Sequence, residues 1–153
     1  MTQVLHPQST EDSPRPTPNI FVGIDVGASR TKVAILDYEK NLIGHAVKTS
    51  GTDFSNSAEA CLSASLKMAH SSKRDIVSAV STGYGRENVS FTKETKTEIG
   101  CHAMGCYLNF PIAITIIDIG GQDNKIIKLN EEGPRISFKM NRKCAAGTGA
   151  FLE

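Results

Sequence analysis

The chain has 153 residues, is 39% hydrophobic and 22% charged, and carries a formal net charge of +1. That length predicts a single core of ordinary size, since a domain of this length hides roughly two-thirds of its unfolded surface. The balanced charge supplies no basic field for nucleic acid, and no apolar run approaches the roughly 20 residues that cross a bilayer.

Residues 1–18 hold four of the six prolines among Ser, Thr and acidic residues. Such a stretch buries too little apolar surface to offset its ordering entropy, so a disordered Pro-rich tail is expected. It has no apolar core of an export signal, which makes the cytoplasm the expected compartment. There the four cysteines, Cys61, Cys101, Cys106 and Cys144, are expected as thiols or metal ligands rather than disulfides.

Order is expected from Asn19. Residues 20–26 are a short apolar run of β-formers, 31–36 a second strand and 42–47 a third, joined by turn-like stretches at 27–30 and 37–41. Short connections predict an antiparallel meander. The period then changes: Ala58, Cys61, Leu62, Ser65, Leu66 and Ala69 recur at three- and four-residue spacing, which predicts an amphipathic helix over 55–70 with Ser55 or Ser57 as N-cap. Residues 76–81 form a fourth strand that runs into Thr82-Gly83-Tyr84-Gly85-Arg86, whose glycines stop it. A helix is expected over 97–108, ended before Pro111. Strands follow at 113–119 and 124–129 around a turn at 120–123. Glu132-Gly133-Pro134 turns into a last strand at 135–140. The Gly-rich stretch from Lys143 onward reads as the start of a helix, and the chain is expected to continue beyond Glu153. This order predicts a mixed α/β fold whose sheet is not purely parallel.

An internal repeat stands out. Ile24-Asp25-Val26-Gly27-Ala28-Ser29-Arg30-Thr31-Lys32-Val33 aligns with Ile117-Asp118-Ile119-Gly120-Gly121-Gln122-Asp123-Asn124-Lys125-Ile126. Asp25 matches Asp118, Gly27 matches Gly120 and Lys32 matches Lys125, each where one strand turns into the next. Glycine lets the backbone approach an anion, and successive N–H groups in a tight turn form an anion-binding nest. Ser29, Thr31, Gln122 and Asn124 add donors. An Asp beside a phosphate site is placed to hold Mg²⁺, usually through water. Two such hairpins would clamp a polyphosphate and its metal, which is most of what phosphoryl transfer asks of a protein. The same residues also make ordinary hairpin turns. There is no Walker loop and no Gly-x-Gly-x-x-Gly fingerprint.

The two hairpins resemble the phosphate motifs of the superfamily that holds actin, the sugar kinases and the heat-shock chaperone ATPases. A closer resemblance, from Phe21 to the last residue, is to the BadF/BadG/BcrA/BcrD-type ATPases. It is carried by Thr82-Gly83-Tyr84-Gly85-Arg86, Glu98-Ile99-Gly100-Cys101-His102-Ala103, Ile117-Asp118-Ile119-Gly120-Gly121-Gln122-Asp123 and Met140-Asn141-Arg142-Lys143-Cys144-Ala145-Ala146-Gly147-Thr148-Gly149. The resemblance implies an actin-like (ribonuclease H-like) mixed sheet with flanking helices, divided into a tail at 1–18, a first subdomain at 19–112, and an incomplete second subdomain at 113–153. It implies ATP with Mg in a cleft, contacted by Asp25, Gly27, Ala28, Ser29, Thr31, Lys32, Gly120, Gly121, Gln122, Gly147, Thr148 and Gly149, with Asp118 and Gln122 serving hydrolysis. Asp25 and Asp118 would hold Mg through water. Cys144 matches a ligand of a 4Fe-4S cluster shared across the interface of a homodimer or a paralogous heterodimer. The implied partner is an acyl-CoA dehydratase or reductase that receives the electron. The family's second cluster cysteine and its adenosine-contacting Gly-rich motif lie downstream of these residues. Arg142 and Ala150 depart from the family pattern.

Other readings stay open on the residues alone. A lone cysteine such as Cys144 before Ala-Ala-Gly is more often a small buried side chain than a ligand. Cys101 and Cys106, five apart on a helix, are a poor metal pair and read as packing residues. His102 has no evident carboxylate partner and reads as a polar helix position. Arg86 follows a loop at a strand's carboxyl end, where α/β sheets place ligands, or is a solvated loop residue. Lys32 and Lys125 neutralise phosphate or face water, and Tyr84 packs rather than stacks on a base. A small-molecule kinase of the same superfamily is the alternative function; it needs a carboxylate to deprotonate a substrate hydroxyl. A nucleotide-binding remnant without activity is the third.

Overall fold

The computed structural model describes residues 19–120 and 123–141, with the backbone only at 134–136. The tail at 1–18 and the Gly-rich stretch from Arg142 lie outside them. The first sheet has five strands in the order β3-β2-β1-β4-β5. Its first three, β1 (Ile20–Val26), β2 (Arg30–Leu36) and β3 (Leu42–Thr49), form the expected antiparallel meander. Alternation sets their faces: Ile20, Val22, Ile24 and Val26 are buried, whereas Phe21, Gly23 and Asp25 turn to the opposite side.

Helix α1 (Phe54–Met68) covers the buried face through Ala58, Cys61, Leu62, Ser65 and Leu66. Its N-cap is Asp53, whose carboxylate accepts from the Asn56 N–H at 2.9 Å. Ser55 does not cap it, and Ser57 instead donates its hydroxyl to Ser50 O at 2.5 Å, tying the helix to the end of β3. The core pairs Leu62 with fully buried Ile20, Ile24 and Ile35. Each such side chain contributes roughly 1.5–3 kcal/mol by leaving water. From α1 the chain returns as β4 (Ile76–Thr82), parallel to β1, so the sheet is mixed as expected. A further strand, β5 (Glu94–Thr95), adds in parallel to β4. Two residues are too few to produce a periodicity, and the sequence pattern does not contain it.

Helix α2 (Glu98–Asn109) starts at Thr97, whose hydroxyl accepts from the Gly100 N–H at 3.2 Å. It packs on a second, antiparallel sheet of β6 (Thr115–Ile119), β7 (Asn124–Asn130) and β8 (Gly133–Met140). Ala103, Ile127 and Leu129 are the buried centre of that contact, with Cys106 packed against it. Cys101 lies half-buried on the same helix. No described helix is long and apolar enough to cross a membrane.

Candidate functional site

The repeat seen in the sequence is a repeat in three dimensions. In the β1–β2 hairpin Asp25 lies opposite Lys32 and Val26 opposite Thr31. In the β6–β7 hairpin Asp118 lies opposite Lys125 and Ile119 opposite Asn124. Both turns close in the same way: the Gly27 N–H donates to Arg30 O at 3.1 Å, and the Gly120 N–H to Asp123 O at 2.8 Å. A Cβ on either glycine would lie 2.9 Å from that same carbonyl oxygen. Contacts so close demand glycine at both positions. The two turns face a common cleft of about 910 Å³, which Asp25, Gly27, Ala28, Ser29, Lys32, Asp118 and Gly120 line together.

Thr31 is the exception among the described candidates. It is fully buried, and its hydroxyl bonds the Ser50 hydroxyl at 2.9 Å. Ser50 in turn donates to Gly27 O at 2.6 Å. The correction follows from strand alternation: Thr31 sits between Arg30 and Lys32, on the face opposite to Asp25. It braces the turn from behind and presents no donor to the cleft. Gly121, Gln122, Cys144, Gly147, Thr148 and Gly149 lie outside the described residues.

The loop after β4 crosses the end of β1. Gly83 has φ +92°, and its place is so tight that a Cβ would lie 2.4 Å from Asp25 Oδ1 and 2.5 Å from Val26 O. The Gly85 N–H donates to Val26 O at 2.8 Å. Asp25 is thereby held between Gly83 and Lys32, whose Nζ lies 2.7 Å from Oδ2. Tyr84 and Arg86 of this loop reach the cleft. Tyr84 remains 71% exposed and meets Phe54 edge-on with ring centres 5.9 Å apart. Arg86 donates from Nη1 to Gly83 O at 3.2 Å, which fixes the loop.

The second hairpin is wired differently. The Lys125 side chain is 5% exposed and sits among three carboxylates: Asp123 Oδ1 at 2.6 Å, Glu98 Oε2 at 3.5 Å and Asp118 Oδ2 at 3.6 Å. Burial pulls its ammonium down. The hydrogen bond to Asp123 and the charges of Glu98, Asp123 and Asp118 outweigh that, so the net shift is upward. His102 reaches Asp118 as well, with Nδ1 3.1 Å from Oδ2. The expectation that His102 lacks a carboxylate partner is therefore corrected. Sequence reading also passed over Glu98, Asp123 and Arg30, all of which line the cleft. A signal was available for Glu98: it lies four residues before His102 on one helix, the spacing that stacks side chains on one face.

Four basic and four acidic side chains line the cleft, and they are segregated. Arg30, Lys32 and Arg86 outnumber Asp25 around the first hairpin, whereas Glu98, Asp118 and Asp123 outnumber Lys125 around the second. A cationic wall beside glycine N–H groups suits phosphate oxygens, and an anionic wall opposite suits a hydrated divalent cation. The carboxylates fit such an ion. Asp25 Oδ1 is buried with no hydrogen-bond partner, a cost that a nearby cation offsets. The ion pairs of Asp118 among the described residues use Oδ2 alone. For an iron–sulfur cluster, as for direct ligation of any metal, no group of three or more His, Cys, Asp or Glu is gathered among the described residues. Cys144, the cluster's candidate ligand, lies outside them.

The profile of the BadF/BadG/BcrA/BcrD ATPase family matches residues 22–153. The chain is 46% identical over 132 residues to the activator of lactoyl-CoA dehydratase of Anaerotignum propionicum, covering 86% of this chain and 51% of that protein. It is 41% identical over 133 residues to the (R)-2-hydroxyglutaryl-CoA dehydratase activating ATPase of Acidaminococcus fermentans, covering 86% and 50%. The structure matches that of the activator of the 2-hydroxyisocaproyl-CoA dehydratase from Clostridium difficile with bound ADPNP at a TM-score of 0.80 and 38% identity, over 87% of this chain and 49% of that one. This likeness gives the fold as actin-like. The chain spans about half the length of these relatives.

Proposed function

We propose that this chain, which belongs to the BadF/BadG/BcrA/BcrD ATPase family, is the phosphate-gripping part of an ATP-hydrolysing activator or reductase subunit. The observation that carries this reading is the pair of hairpins in one register facing one cleft. The glycine turns and Ser29 take the phosphate oxygens, Lys32 and Arg86 neutralise them, and Asp25 and Asp118 hold Mg²⁺ through water. Asp118, with Gln122, serves the hydrolytic step, while Gly147, Thr148 and Gly149 extend the nucleotide site. Three relatives are named as activators of lactoyl-, 2-hydroxyglutaryl- and 2-hydroxyisocaproyl-CoA dehydratases and a fourth as a benzoyl-CoA reductase subunit, which supports an acyl-CoA dehydratase, or a reductase of the benzoyl-CoA type, as the partner that receives an electron. The electron carrier is a 4Fe-4S cluster held across a dimer, with Cys144 as this chain's ligand; four thiolates are the usual complement, so partners must supply the rest.

Two measurements test the two halves of this reading. For the nucleotide, Mg-ATP affinity of Asp118→Ala is compared with the parent; unchanged affinity and hydrolysis remove the second hairpin from the mechanism. For the cluster, the protein is purified without oxygen and reconstituted with iron and sulfide, with Cys144 intact and as Cys144→Ala. Absorption by neither form, or by both equally, refutes Cys144 as a ligand.

A further inference from the structure

The two hairpins share a register but not a partner for their aspartate. In the first, Lys32 lies across the strands from Asp25 and donates to it directly at 2.7 Å. In the second, Lys125 occupies the same cross-strand place, yet its Nζ is 3.6 Å from Asp118 and 2.6 Å from Asp123. The turns differ in charge. The residue that closes the first turn is Arg30; its counterpart in the second is Asp123, whose carboxylate takes Lys125 at 2.6 Å. Beside Asp118 Oδ2 stands a group from another element, the His102 imidazole, with Nδ1 3.1 Å away. Glu98, one turn earlier on α2, adds a second carboxylate to Lys125 at 3.5 Å and helps keep it there.

We propose that His102 is a positioning residue for Asp118, standing in for the lysine that the first hairpin uses. The proposed contact is a donation from Nδ1–H to Oδ2, which the imidazole ring can make with or without a charge. With Oδ2 engaged, the other carboxylate oxygen is the one left for a hydrated cation, and a carboxylate fixed in advance binds such an ion without an ordering cost at the moment of binding. The effect on nucleotide therefore passes through the metal. This inference rests on the reading of the cleft as a Mg-nucleotide site.

The test uses the full-length protein and ADPNP as the probe, titrated with and without Mg²⁺. His102→Ala is expected to raise the Kd for Mg-ADPNP about tenfold, in keeping with the loss of a hydrogen bond to a charged group, and to leave the metal-free Kd within about twofold. His102→Asn, whose amide N–H lies where Nδ1–H lies, is expected to restore most of the affinity, and His102→Gln, which extends to the Nε2 position, is not. Asp123→Asn frees Lys125 for Asp118, so His102→Ala in that background is expected to cost less than in the parent. Equal losses with and without Mg²⁺, or equal behaviour of the Asn and Gln variants, overturns the proposal; the Asn–Gln comparison decides even where the Ala variant misfolds. A parent protein that binds no Mg-ADPNP, or an Asp118→Ala variant that binds it normally, instead overturns the nucleotide reading beneath it.

Discussion

Substitution of Gly83 by alanine tests whether the loop after β4 sets the geometry of Asp25. The new Cβ meets two obstacles at once. Its φ of +92° lies in the left-handed half of backbone space, which costs an L-residue roughly 1–2 kcal/mol. It also arrives 2.4 Å from Asp25 Oδ1 and 2.5 Å from Val26 O. Neither atom is the end of a long flexible chain, and forcing a methyl into such a place costs about 1–3 kcal/mol. The expected total is roughly 2–5 kcal/mol, a large share of the 5–15 kcal/mol that holds a domain together. At about 2–4 °C per kcal/mol for a chain of this size, Tm falls by on the order of 10 °C. Because one obstacle is the Asp25 carboxylate itself, Mg-ATP affinity falls with it. Gly105→Ala on α2 is the control. Nothing lies within 4 Å of its Cβ, so it is expected to stabilise the helix by roughly 0.5–1 kcal/mol. Urea unfolding and nucleotide titration read both effects. A Gly83→Ala protein within about 0.5 kcal/mol of the parent, binding nucleotide normally, refutes the role assigned to this loop.

Three further outcomes are expected. Gly44→Ala places a Cβ 2.6 Å from Ser65 O and 2.9 Å from Ala69 Cβ, so it should lift α1 from β3 and cost about 1–3 kcal/mol in urea unfolding. Cys61 is fully buried, its thiol pushed upward by that burial and donating to Ala46 O at 3.3 Å; iodoacetamide at pH 8 should label it at least about a hundredfold more slowly in the native protein than in urea, by mass spectrometry. Lys125→Met leaves three carboxylates without their cation and should cost about 2 kcal/mol, less than a fully buried pair because the acids are partly exposed. The pH dependence has a definite sign. Lys125 is raised above its ordinary 10.5, so its stabilisation is complete below that value and is lost as pH climbs through the raised one. The gap between parent and variant in urea midpoint should stay flat from pH 6 to 9 and narrow only in strong alkali.

Much of the fold was legible because strands and helices advertise themselves by period. The apolar run of β1 and the three- and four-residue spacing of α1 are both plain in the sequence, and the structure has a strand and a helix there. What escaped had no period to read. β5 is two residues long and exists because β4 offers Val80 and Ser81 as partners. The cap of α1 is Asp53 rather than a nearby serine, a choice made by where the chain leaves β3. In the site, the repeated Asp-x-Gly located both turns because register and turn length are local matters. Thr31 was misplaced although the alternation that buries it was available. The pairing of His102 with Asp118 joins a helix to a strand sixteen positions further along, a contact set by tertiary packing that no local pattern encodes.

The segregation of charge in the cleft bears on how a ligand arrives. Seen from beyond about 10 Å in ordinary salt, four cations and four carboxylates cancel, so a polyanion drifting nearby feels almost no pull. Encounter is then left to diffusion and changes little with ionic strength. Only inside, where the walls differ in sign, does orientation matter: a ligand that is anionic at one end and carries a cation at the other is favoured one way round and repelled the other. Salt should therefore shorten how long the ligand stays while hardly altering how often it comes.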